Sequence, residues 1–188
     1  MQHYLDLRLR PDPDLAPHQL LGALYARLHR ALVELPSSGI GVSFPTHDDA
    51  LPSLGTQLRL HGNDSALRSL MATAWLRGMH DHLHIAEIAE VPATAQYRQV
   101  TRVQAKSSPE RLRRRAMRRH GLSADAAAER IPDTAAERLR LPFVVLGSRS
   151  TGQAAFPLFV RHGPFLQEPI AGTFNSYGLS TGATIPWF

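Results

Sequence analysis

The chain has 188 residues, 43% hydrophobic and 20% charged, with a formal net charge of +5 and a pI near 10.4. That apolar content over that length excludes a disordered chain and suits one large or two small domains. The absence of cysteine excludes disulfides, thiolate zinc sites and cysteine nucleophiles, while 20 of the 21 basic residues are arginine, Lys106 being the exception, a balance that favours a polyanionic partner.

The amino terminus, MQHYLDLRLRPDP, interrupts its apolar positions with charges, and the chain contains no apolar run of membrane-spanning length. The expectation is a cytoplasmic protein without a membrane partner. Tyr4 to Arg10 alternates with period two, leucines 5, 7 and 9 on one face, and Pro11-Asp12-Pro13 ends it: a first strand. From Pro17 to Leu35, leucines 20, 21, 24, 28 and 32 form the apolar stripe of an amphipathic helix, closed by Pro36-Ser37-Ser38-Gly39. Ile40 to Phe44 and Thr56 to His61 read as strands, Asn63-Asp64-Ser65 caps a helix through Leu76, and His82 to Ile88 reads as another strand. The order β-α-β-β-α-β is the ferredoxin-like pattern.

Val91-Pro92-Ala93-Thr94-Ala95 marks a boundary, giving a ferredoxin-like domain over residues 1–93 and a second domain over residues 94–188. The expected fold class is α+β, the C-terminal part being an α/β domain that carries an arginine-rich helix. Tyr97 to Ala105 is a strand with Val100, Arg102 and Gln104 on one face. Arg111 to Arg119 then places six arginines in nine positions. Ser107-x-x-Glu110 matches a capping box, Pro109 suits a first turn and Gly121 supplies the stop. With Arg111 at zero, Arg114, Arg115, Arg118 and Arg119 fall between about −60° and +80° on the helical wheel, and Leu112 and Ala116 near 100° to 140°. One edge can dock on the protein while a wide arginine face turns outward. Only Glu110 offsets the charge, so the face favours nucleic acid, whose phosphates accept paired guanidinium donors, over a merely solvated surface. A second helix runs from Ser123 to Arg130, and strands are expected over Leu141 to Leu146 and Leu158 to Arg161. The tail from Phe174 to Phe188 is glycine-broken and aromatic, as in short strands with turns.

Several side chains could carry chemistry. His29 lies about 100° from the core stripe of its helix and shares an edge with Tyr25 and Val33, a position more often held by a boundary or surface residue than by a catalyst. Ser148 and Ser150 share one face of a glycine-bounded loop suited to phosphate or ribose, or to a plain turn. Tyr177, in Asn175-Ser176-Tyr177-Gly178, could orient a base or pack. Arg102 and Gln104 offer a donor fork for guanine and an amide for adenine. His80, His82 and His84 would share one face of a strand and could take zinc, nickel or copper, although no second cluster completes a shell.

HYLDLRLRPDP, Gly41-Val42-Ser43-Phe44-Pro45, Tyr97-Arg98-Gln99-Val100, Arg102 through Ser107, Pro109 to His120, Arg130 through Thr134, Ser150-Thr151-Gly152-Gln153, Arg161-His162-Gly163-Pro164 and Tyr177-Gly178-Leu179-Ser180 together resemble the repeat-processing endoribonuclease of type I-F CRISPR systems. The resemblance spans essentially the whole chain. It implies cleavage of CRISPR precursor RNA at the 3′ base of the repeat hairpin, with the product kept bound and joined to other subunits of a type I-F surveillance complex. It places His29 on the catalytic histidine, Ser148 on the serine that holds the reacting ribose and Tyr177 on the tyrosine beside the histidine, with Ser150 in support. Arg102 and Gln104 fall on readers of the lowest stem pairs. Arg114, Arg115, Arg118 and Arg119 fall on the groove-binding helix, whose face Arg111 shares. Phe156 resembles an aromatic that stacks near the cut, with Ala154-Ala155 adding a residue before it and Pro157 unusual in a strand.

RNA supplies its own nucleophile, the 2′-hydroxyl, so alignment and proton removal suffice, and neither a metal nor another cofactor is implied. A 2′,3′-cyclic phosphate is the expected product. Other readings are a binding-only relative holding the same hairpin, a DNA-reading helix-turn-helix around His120-Gly121-Leu122, and a metal-dependent nuclease using His80, His82 and His84.

Overall fold

The computed structural model describes residues 1–35, 39–104, 109–132, 139–147 and 155–188. Packing divides the chain into Met1–Val103 with Leu141–Phe188, and Gln104–Arg140. The composition break at Val91–Ala95 thus lies inside the larger unit. Helices and antiparallel sheets occur together, an α+β fold as the sequence predicts.

In the larger unit β1 (His3–Leu9), α1 (Pro17–Glu34), β2 (Gly41–Ser43), β3 (Gln57–Gly62), α2 (Asp64–Met71) and β4 (Leu83–Ile85) follow in the expected order. The strands lie β2-β3-β1-β4 and pair antiparallel, the arrangement of a split β-α-β fold, and β5 (Ala89–Glu90) joins the start of β1. Leu5 and Leu7 face Leu60 and Leu58, and with Val42 they pack into one core with the leucine stripe of α1 and with Leu67 and Leu70 of α2. Each such leucine contributes roughly 1.5–3 kcal/mol by leaving water.

Three elements differ from expectation, the first being the single strand expected over Tyr97 to Ala105, which is broken at Gln99 into Gln96–Arg98 and Val100–Val103, strands of two different sheets. The second helix stops at Met71 rather than near Leu76, because the Thr73 hydroxyl and amide both donate to the Leu70 carbonyl and tighten the chain into turns, where Trp75, Leu76 and Met79 are buried. His80–His82 is a single 3-10 turn rather than the start of a strand. The three histidines therefore lack the shared strand face that a metal site there needs, and His82 Nδ1 instead lies 3.0 Å from an Asp12 carboxylate oxygen.

The sheet is buried on its second face too. Asp6, paired with Arg59 across β1 and β3, is 6% exposed and His61 is fully buried, although the alternation of β1 marks Asp6 as solvent-facing. Arg59 grips both Asp6 oxygens at 2.6 and 2.9 Å, donates to the Phe188 carbonyl at 3.0 Å, and lies over the Tyr4 and Phe188 rings at 4.7 and 4.0 Å. The end of the tail is thus fastened to the central strands.

His61 Nε2 lies 2.8 Å from the Ser43 hydroxyl, and burial foremost, then the Arg59 charge, holds its pKa down to about 3. His162 is held down to about 3 likewise, by burial and then by His47 and Arg98. An imidazole depressed in the folded state stabilises fully above its unfolded pKa of about 6.5; below that the unfolded chain binds protons that the folded one refuses. Urea denaturation is expected to show stability falling from pH 6.5 toward pH 4 by up to about 1.4 kcal/mol per pH unit per imidazole. His61→Gln should make that fall shallower; an unchanged slope counts against His61 as a source.

The rest of the larger unit is two small sheets. β6 (Gln96–Arg98) pairs with β10 (Ile185–Trp187), and β7 (Val100–Val103), β9 (Phe156–His162) and β8 (Phe143–Leu146) lie in the order β7-β9-β8. Alternation puts Val100, Arg102, Val144, Leu146, Phe156, Leu158 and Val160 on one face by register. β8 packs against α1 at Gly22, where a Cβ would come within 2.8 Å of the Val145 carbonyl oxygen. Pro157 is tolerated because at that register β9 pairs only with β8 among the described residues, so no ladder needs its missing N–H.

The smaller unit holds α3 (Pro109–His120) and α4 (Ala124–Arg130). Gly121, at φ 64°, ends α3 as predicted, and the Ser123 hydroxyl caps α4 by accepting the Ala126 N–H at 3.2 Å. The Ser107 cap expected for α3 lies outside the described residues. Arg113 turns inward and donates its Nε–H to the Ile131 carbonyl at 2.8 Å, joining the two helices. Leu112, Ala116 and Met117 are half-buried, whereas Arg111, Arg114, Arg115, Arg118 and Arg119 are exposed.

Candidate active site

His29 is held by a segment far away in sequence. Its Nδ1 lies 2.9 Å from the Ser176 carbonyl, and its ring stacks on Tyr177 with centroids 3.9 Å apart and planes 7° from parallel. A carbonyl only accepts, so Nδ1 carries the proton. The neutral ring then keeps its lone pair on Nε2, which no described residue occupies. This is the tautomer that a proton acceptor needs.

The turn that supplies Ser176 is itself tightly set. The Asn175 side-chain oxygen accepts the N–H groups of Tyr177 and Leu179 at 2.9 and 3.1 Å, and Val42 donates its N–H to the Gly178 carbonyl at 2.9 Å. Gly178 has φ 70°, and a Cβ there would meet Val42 at 2.6 Å, so conformation and space both demand glycine. Tyr25 completes the support. One turn before His29 on α1, it is buried completely and donates its hydroxyl to the Tyr177 carbonyl at 2.7 Å. Burial foremost, with Tyr177 adding and Arg102 opposing, raises its pKa well above the usual phenol value, so it stays a donor.

Arg102 approaches from β7. Its guanidinium lies 5.3 Å from the Tyr177 ring centroid and 6.0 Å from that of Phe156, which shares its sheet face. Its Nε is buried and has no hydrogen-bond partner among the described residues. A donor left so is costly unless a further acceptor meets it.

Four expected site residues, His29, Tyr177, Arg102 and Phe156, therefore form one linked cluster within the larger unit. Ser148 and Ser150 lie outside the described residues. Gln104 begins the smaller unit and is exposed, and Arg111, Arg114, Arg115, Arg118 and Arg119 belong to α3 there. Sequence reasoning passed over three groups as functional: Tyr25, the Asn175 side chain and the Ser176 carbonyl. The signal available for Tyr25 is its i, i+4 spacing from His29 on one helix edge. Asn175 before a Gly178 turn is a recognisable turn signal too, but no pattern in the chain links that turn to α1.

A family model described as CRISPR-associated protein (Cas_Csy4) matches residues 4–188. Similar proteins include the CRISPR-associated endonuclease Cas6/Csy4 of Pseudomonas aeruginosa (strain UCBPP-PA14), 55% identical over 188 residues and all of both chains. The CRISPR-associated endonuclease Cas6/Csy4 of Escherichia coli (strain UTI89 / UPEC) is 45% identical, again over all of both chains.

Proposed function

The chain belongs to the Cas_Csy4 family of CRISPR-associated proteins, and from that premise we propose that it is an endoribonuclease that cleaves CRISPR precursor RNA at the 3′ base of the repeat hairpin. His29 is the general base. Its Nε2 takes the proton of the 2′-hydroxyl as that oxygen attacks the adjoining phosphorus, and the 5′-oxygen leaves. The products are a 2′,3′-cyclic phosphate and a 5′-hydroxyl. The observation that carries this reading is the proton on Nδ1, committed to the Ser176 carbonyl, which leaves the lone pair on the opposite ring nitrogen.

The other roles follow from the chemistry of each group. Stacking on Tyr177 limits rotation of the imidazole, and alignment of nucleophile and base is the larger part of what such an enzyme supplies. Ser148, by likeness to the family, holds the reacting ribose, with Ser150 in support. Arg102 has an unused buried donor for a base edge or phosphate near the cut; Gln104, by likeness to the family, reads a stem base, and Phe156 stacks on a base. The exposed arginines of α3 grip the stem. The major groove of continuous A-form RNA is too deep and narrow for side chains, but a stem of only a few pairs opens at its ends. The product stays bound and is handed to the other subunits of a type I-F surveillance complex.

The test is to incubate the protein with a short repeat hairpin in EDTA, beside a DNA duplex of the same sequence, and to identify the 3′ end formed. Cleavage of the hairpin alone, ending in a cyclic phosphate, is the expected result. A 3′-hydroxyl product, or activity that vanishes in EDTA, overturns the mechanism; an uncut but tightly held hairpin indicates a binding-only relative. Binding itself should depend on salt. If about four arginines each neutralise one phosphate, affinity should fall roughly a hundredfold between 50 and 200 mM salt. Salt-insensitive binding excludes α3 as the main contact.

A further inference from the structure

His47, Asp49 and His162 lie in the larger unit, and each offers one metal-binding atom within 4.8 Å of the other two. From this cluster we propose that the protein binds a first-row transition dication of the zinc class, at a site separate in composition from the His29 cluster and with no part in cleavage.

The donors are arranged for that chemistry. His47 follows β2 in a turn, where its Nδ1–H donates to the Phe44 carbonyl at 2.9 Å, so the lone pair is on Nε2. A ligating histidine characteristically gives its other ring N–H to a carbonyl in this way. The Asp49 carboxylate lies 3.7 Å from that Nε2, too long for a hydrogen bond but within reach of a shared ion. His162, at the end of β9, has both ring nitrogens buried without a hydrogen-bond partner among the described residues. A neutral imidazole carries one donor and one acceptor, so His162 leaves its lone pair unused at a cost that a metal bond would remove.

Two imidazoles and one carboxylate suit zinc, nickel or copper(II) rather than magnesium or calcium, which take oxygen shells, and the set leaves a position for water. Trp187 packs edge-on against both histidines, at 5.3 and 5.5 Å, and shields the site. The shell must close. The histidine rings are stacked at 3.6 Å and 29°, whereas bonds of about 2.0–2.1 Å set tetrahedral donors roughly 3.3 Å apart with converging lone pairs. The rings therefore splay as the ion enters, and Asp49, whose side chain is 63% exposed against 13% for His47, makes the larger movement. Arg98, over the Trp187 ring at 4.6 Å, is the opposing charge and moderates the affinity.

The experiment uses the full-length chain without an affinity tag. Zn²⁺ is titrated by calorimetry, Co²⁺ by its visible absorption, and melting is followed with each metal and with EDTA. One equivalent bound, with a higher Tm in Zn²⁺ and a Co²⁺ spectrum of low coordination number, is the expected result. His47→Leu and Asp49→Asn should each weaken Zn²⁺ binding about tenfold or more while melting normally in EDTA, and neither should alter hairpin cleavage. Absence of Zn²⁺ binding, or equal affinity in both variants, overturns the site and in the latter case assigns the ion to other histidines such as His80, His82 and His84. A variant that melts early in EDTA is replaced by His47→Gln, to which the same two outcomes apply.

Discussion

His29→Ala is expected to slow single-turnover cleavage by roughly 10²- to 10⁴-fold while leaving hairpin affinity within a few-fold of the parent, because the substitution removes a proton acceptor and none of the arginine contacts. The matching substrate experiment replaces the 2′-hydroxyl at the cut with hydrogen. With no nucleophile, cleavage should stop in the parent protein and binding should persist. The two results test different halves of one step: the first the base, the second the oxygen it deprotonates. A His29→Ala protein that cuts at the parental rate moves the base elsewhere. Continued cutting of the deoxy substrate ends the 2′-hydroxyl mechanism altogether.

Asp6→Ala should be the most damaging single change to stability away from the apolar core. Asp6 and Arg59 are each 8% exposed at the side chain, and the carboxylate receives two parallel N–H bonds. Removing one partner leaves a buried guanidinium without its counter-charge, for a loss of about 3–5 kcal/mol. The partners that remain to Arg59 are the Phe188 main-chain oxygen and the Tyr4 and Phe188 rings. The double variant Asp6→Ala with Arg59→Met should recover much of the loss, since a buried ion pair is worth little more than an apolar pair of similar volume. Urea midpoints of the single and double variants measure both statements. A single-variant loss below about 1 kcal/mol would mean that water reaches Arg59.

Much of the local structure is legible in the residue pattern. The leucines of β1 and α1 repeat with periods of two and 3.6, and their period reports which face is buried. The one-sided arginines of α3 are legible for the same reason, and the five on the outward arc are the exposed ones. Two of the misses are local: the Thr73 hydroxyl and amide shortened α2, and a 3-10 turn took His80–His82 out of a strand. Such choices turn on hydrogen bonds worth about 1 kcal/mol each, which periodicity does not resolve.

The sequence by itself, then, determined the order of elements, the β-α-β-β-α-β start, the charge of α3 and, through shared motifs, the family. Only the tertiary structure decided which ring nitrogen of His29 is tied to a carbonyl. The Ser176 carbonyl that accepts its Nδ1–H hydrogen bond lies 147 positions away, and the Tyr177 carbonyl held by Tyr25 lies 152 positions from that tyrosine. Arg102 and Phe156 share a face only through the antiparallel register of β7, β9 and β8, and Asp6 is buried only because Arg59 and the tail cover it. Helical and strand periods constrain neighbours within one element. A hydrogen bond between elements depends on how the whole chain packs, and the residues between its two ends do not encode it locally.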